Sequence, residues 1–76
     1  MVVESIEYKW TQNNSEKIGS TILLKDNDIF KVITHTNYIF FEGNLEDAKN
    51  ELNKFINHME LYFSIERLNH AYSEVG

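Results

Sequence analysis

The sequence predicts an α+β domain: an antiparallel meander of three or four strands, followed by one long or bent C-terminal helix packed on one face (ββββα or ββββαα). Three observations carry this. Residues 2–10 alternate between apolar and polar side chains, with Ile6, Tyr8 and Trp10 on one face and Ser5, Glu7 and Lys9 on the other. Short apolar runs then alternate with turn clusters. From Asn44 onward, no proline occurs and no glycine before Gly76. The first pattern is that of a half-buried strand, the second of hairpins, and the third of a helix.

Taken in order, the first strand covers residues 2–10. The polar stretch Thr11 to Lys17 contains Asn13-Asn14 and reads as a turn or loop. Ile18 to Leu24 forms the second strand, and Lys25-Asp26-Asn27-Asp28 a turn, because Asn and Asp tolerate the backbone angles tight turns need. Ile29 to Thr34 is the third strand. Phe30 and Val32 point one way, Ile29 and Ile33 the other, as expected of a central strand. His35-Thr36-Asn37 makes the next turn and Tyr38 to Phe41 the fourth strand. Ile29, Ile33, Ile39 and Phe41 are expected on the face away from the helix.

Asn44 is placed to cap the helix, its side-chain oxygen accepting a first-turn N–H, with Glu46 and Asp47 at the positive end of the helix dipole. At about 100° per residue, Leu45, Ala48, Leu52, Phe55, Ile56, Met59, Tyr62 and Phe63 form one stripe. Leu61, Ile65, Leu68 and Tyr72 form a second, roughly opposite, extended by Val75. Their spacing of four, three and four is that of a helix–helix seam. The apolar face therefore flips near Tyr62-Phe63-Ser64. Either the helix breaks there, with Ser64 capping a second helix, or it continues and offers the second stripe to another molecule. A continuous helix of thirty residues would be about 45 Å long, too long for a domain whose expected radius of gyration is about 11 Å. Residues 1–76 thus read as a single domain, 1–43 sheet and 44–76 helical.

A 76-residue chain buries only about 60% of its unfolded surface and usually needs a staple. There is no cysteine, so no disulfide or thiolate metal site can serve. His35, His58 and His70 are too scattered for a structural zinc. Self-association or a bound partner is the remaining staple. No apolar run approaches the roughly 20 residues that span a bilayer, and the acidic, alternating N-terminus does not read as a signal peptide. A soluble, cytoplasmic protein is expected, with no membrane partner.

The net charge is −5, with six acids and four bases in residues 1–43 and six acids and three bases in residues 44–76. Direct binding of nucleic acid needs bases that neutralise phosphates. One arginine and six scattered lysines do not supply them. Twelve acids in 76 residues are also sparse for a mimic of DNA. The three glycines are isolated, so no phosphate-binding loop is present, nor any metalloprotease, EF-hand or nucleophile-elbow motif. His70 has Glu66 and Glu74 four residues to either side, which on a helix reads as side-chain pairing on a solvated face. His58 and Glu60, two apart, would not face each other. No enzymatic activity, cofactor or metal is expected.

The expected function is a small acidic protein-binding module that occupies a surface of a larger protein. Frequent Asn, Ile, Phe and Tyr, with scarce Ala, Gly, Arg and Pro, suit A+T-rich coding. Together with size and charge they suggest an inhibitor of phage or mobile-element type, acting on a host defence or nucleic-acid-handling protein. The expected partner-binding residues are Glu60, Leu61, Ile65, Glu66, Arg67, Leu68, Tyr72 and Glu74. Tyr8 and Trp10 are assigned to the core. The alternative is a structural or regulatory homodimer joined by the helical seam.

Overall fold

The structure, a computed structural model, describes residues 1–73. It contains β1 (Val2–Gln12), β2 (Ser15–Asp26), β3 (Ile29–Ile33), β4 (Ile39–Gly43), α1 (Leu45–Phe63) and β5 (Glu66–Tyr72). The α+β class is as expected. The sheet has five strands, all antiparallel, in the order β4-β3-β2-β1-β5.

Two corrections concern the strands. The stretch Thr11 to Lys17 is mostly ladder: Trp10 pairs with Lys17, Thr11 with Glu16 and Gln12 with Ser15. The turn is Asn13-Asn14 alone, with φ of 52° and 63°, the two left-handed residues that a tight hairpin between twisted strands requires. The second correction is larger. The chain does leave the helix at Ser64, but it then enters a strand and not a second helix, so residues 44–76 are not all helical. Ser64 takes φ 53° and ψ 40°, the left-handed turn that ends many helices. β5 lies along β1, with Glu4 opposite Tyr72, Ile6 opposite His70 and Lys9 opposite Glu66.

Register assigns the faces. Ile6, Tyr8, Thr21, Leu23, Val32 and Phe41 point toward α1, and Ser5, Glu7, Lys9, Ile22, Ile33 and Ile39 point away. Phe41 is thus on the helix side, opposite Val32 and packed on the core, contrary to the expectation from its run. A register shift between Val32 and Ile33 turns Phe40 toward the helix as well, where its ring lies 5.1 Å from that of Phe55. The helix begins as expected: Asp47 N donates to Asn44 Oδ1 at 2.8 Å. Ala48, Leu52 and Ile56 are buried on Ile6, Tyr8, Leu23 and Val32, with Val3 and Ile65 completing the core.

Element lengths do not match, and this shapes the surface. At 11 and 12 residues, β1 and β2 make an arm close to the full 41 Å long axis of the molecule. β3 and β4 have five residues each, about 17 Å, whereas the 19 residues of α1 run about 28 Å. The end of the helix overhangs the short strands. Only part of the first stripe is covered, and Tyr62 and Phe63 remain exposed.

Candidate functional site

The sequence-derived partner residues do not form one stripe. Ile65 is buried in the core. Glu60 and Arg67 bind each other: Arg67 donates from Nε to Glu60 Oε2 at 3.2 Å and from Nη2 to Glu60 Oε1 at 3.0 Å. This fork ties α1 to β5. Glu66 points away from the helix, 3.6 Å from Lys9 Nζ. Leu68 sits where the β1–β5 register shifts, and it and Tyr72 are exposed. Leu61 is 74% exposed on the last turn of the helix. Glu74 lies outside the described residues. Among the described residues the helical seam expected for a homodimer does not form, because Leu61 is on α1, Ile65 is buried in the core, and Leu68 and Tyr72 belong to β5; Val75 lies outside the described residues.

His70 also differs from its helical reading. On β5 it faces α1's side of the sheet while Glu66 faces the other. Its carboxylate partner is Glu4, buried on β1, with Nε2 to Oε2 at 2.5 Å. The Tyr72 hydroxyl lies 3.3 Å from His70 Nδ1, and the two rings stack at 4.4 Å. This string fastens β5 to β1 and satisfies a carboxylate that burial would otherwise leave costly.

A second polar link crosses the core. The buried Tyr8 hydroxyl shares hydrogen bonds with Thr21 Oγ1 at 2.9 Å and His35 Nδ1 at 3.1 Å. Burial pushes the Tyr8 pKa up from its ordinary value, while the Thr21 bond pulls it down. His35 in turn lies 5.1 Å from Trp10, ring to ring. The sequence correctly placed His35 at a turn, but not its role of sealing Tyr8.

What sequence reasoning missed is the surface beside the overhang. Phe63 and Met59 stand between two clefts. One, of about 340 Å³, is bounded by Trp10, Gln12 and His35. The other, of about 520 Å³, is bounded by Phe40, Phe55 and His58. The Tyr62 ring lies 4.6 Å from that of His58, tilted by 42°. Leu61, Tyr62 and Phe63 are consecutive and exposed by 74%, 67% and 59%. The available signal was that Tyr62 and Phe63 close the first stripe at the point where the sheet's short strands end. Among the described residues, no group of three or more His, Cys, Asp or Glu side chains could hold a metal, and no helix is long and apolar enough to cross a membrane. No protein-family model, no curated protein and no solved structure matches this chain.

Proposed function

We propose that this protein is a protein-binding module whose docking surface is the overhanging end of α1. The observation that carries this reading is the exposure of Tyr62 and Phe63 at the end of α1, beside the clefts around Met59. Contiguous exposed apolar surface marks interaction sites. Large aromatic side chains next to pockets are the usual anchors of an interface. The net charge of −5 suits a module that blocks a basic surface of a larger protein, since complementary charge speeds association. Obstruction of a host protein by such a module is the inhibitor role expected from the sequence.

The test is a photocrosslinker, benzoylphenylalanine, in place of Tyr62, with Asn50 as the control position on the exposed flank of the same helix. A discrete cross-linked protein at position 62 and none at position 50 supports the reading. Equal labelling at both positions, or none at either, removes it.

A homodimer is the second reading, through the open face of the sheet. Ile22, Ile33 and Ile39 form a cross-strand row there, and among the described residues no layer lies above them. Ile29 and Val2 on the same side of the molecule are exposed. Domains normally cover a sheet face with a second layer. Light scattering over a concentration range decides: a mass near twice 9.0 kDa, lost in Ile33→Lys, supports the dimer.

A further inference from the structure

We infer that the outer edge of β1 accepts the β5 strand of a second copy of this chain, two copies exchanging Glu66–Tyr72 about a hinge at Ser64. Such exchange is independent of the binding-module reading, which concerns the closed monomer.

The hinge is the first reason. Only Ser64 and Ile65 lie between the end of α1 and the start of β5. The change of direction there uses Ser64 at φ 53° and ψ 40°, a left-handed conformation that is strained for a residue with a Cβ. No glycine or proline occurs from Asn44 to Val75, so nothing local opposes a right-handed Ser64. With Ser64 right-handed, the helix runs on and carries β5 away from its own β1. Short hinges under strain are the ones that favour exchange of an element between copies.

The second reason is that exchange keeps the contacts of β5. It is an edge strand, and its ladder partner is β1. Its side-chain ties are His70 to Glu4, Arg67 to Glu60 and Glu66 to Lys9. Each joins β5 to β1 or α1. A β5 from another copy, laid on the same edge in the same register, remakes all three. Ile65 follows the hinge and fills the same place in the core. Only the backbone of Ser64 differs, and the exchanged form is the less strained there.

The third reason is the surface beside the hinge. Three residues span at most about 10 Å, so Phe63 of each chain lies within that reach of the edge its own β5 leaves or joins. The two helix ends therefore stand within about 20 Å of each other. Tyr62 and Phe63, exposed in the closed monomer, are brought beside their counterparts, which removes apolar surface from water. Two chains of net charge −5 repel, and salt screens that repulsion, so the exchanged dimer should gain with salt.

Ser5 and Ala71 are opposite each other in the β1–β5 ladder, at a separation a disulfide spans, and the chain has no cysteine of its own. The test uses the double variant Ser5→Cys, Ala71→Cys. It is kept reduced, concentrated to the millimolar range in which a second chain competes with the chain's own strand, separated by size and then oxidised. In an exchanged dimer both disulfides cross between chains, so a non-reducing denaturing gel is expected to show about twice 9.0 kDa. A dimer fraction that runs at 9.0 kDa after oxidation has each β5 on its own β1 and overturns the inference, as does the absence of a dimer fraction. Each dimer straightens two hinges. Ser64→Gly, which relaxes the left-handed form, is therefore expected to raise the dimer Kd at least about tenfold. Ser64→Ala, a better helix former, should lower it about fivefold. A Kd unchanged in both variants overturns the hinge. Ile33→Lys, which breaks a dimer formed through the open face, should leave the cross-chain product in place; its loss there assigns the dimer to that face instead.

Discussion

The His70 imidazole reaches Glu4 across 66 positions of sequence, with Nε2 and Oε2 2.5 Å apart. The side chain of Glu4 is 6% exposed and that of His70 24%. β5 is an edge strand, and this contact, the Arg67–Glu60 fork and the Lys9–Glu66 ion pair tie its side chains to the rest of the molecule. His70→Ala leaves a buried carboxylate without its ring partner. It is expected to cost about 1–3 kcal/mol in chemical denaturation. Glu4→Gln keeps an acceptor and should cost less. A double-mutant coupling below about 0.5 kcal/mol would show the two residues to be independent.

Tyr8 makes the protein sensitive to alkali. Burial raises its pKa above 10.0, so the folded state holds the phenol proton more tightly than the unfolded chain does. The stability this contributes is fully present below about pH 10 and is lost as pH rises through the folded-state value. Absorbance at the phenolate band should show a tyrosine step later than that of a free phenol. The late step should vanish in Tyr8→Phe, and its persistence in that variant would place the raised group elsewhere.

Ser64 holds a left-handed conformation without being glycine. That conformation is strained for a residue with a Cβ. Ser64→Gly is expected to stabilise by about 0.5–1 kcal/mol, a rise of a few degrees in Tm. Ser64→Val should lower it. A rise with valine would mean the break at this position is not held in the left-handed region.

Gly19 lies against Trp10 of β1 and His35 of the β3–β4 turn. A Cβ there would meet His35 Cβ at 3.0 Å and Trp10 Cζ3 at 3.1 Å. Gly19→Ala requires His35 and Trp10 to give way by a few tenths of an ångström, so lower stability and a changed Trp10 emission are expected. An unchanged Trp10 spectrum would show that the turn carrying His35 yields freely.

How much of this was legible in the sequence varies by element, for identifiable reasons. The face of β1 bearing Ile6, Tyr8 and Trp10, the central position of β3 and the Asn44 cap come from the spacing of neighbouring residues, and the structure has all three. The arm from Thr11 to Lys17 was obscured because it extends past the helix. With no core beneath it, its residues show no apolar alternation, and only Asn13-Asn14 mark the hairpin. At the site, Leu61 was already among the expected partner-binding residues, whereas Tyr62 and Phe63 were assigned to the stripe packed on the sheet, and their exposure depends on how far α1 outruns β3 and β4.

By itself the sequence determined the α+β class, a meander of three or four strands and the start of the helix, and it marked the region near Ser64 as the place where the helix either breaks or runs on. All rest on contacts or angles within a few residues of one another. Only the tertiary structure decided the fate of residues 66–72. Leu61, Ile65, Leu68 and Tyr72 are spaced as for a helix, and no proline or glycine forbids one. But β1 has an open edge on the side away from β2, and its unpaired backbone groups gain partners only if a strand lies beside them. Ladder bonds along β1, the burial of Ile65 and the pairing of His70 with Glu4 outweigh a weak local preference for helix, and none of them can be read from spacing along the chain.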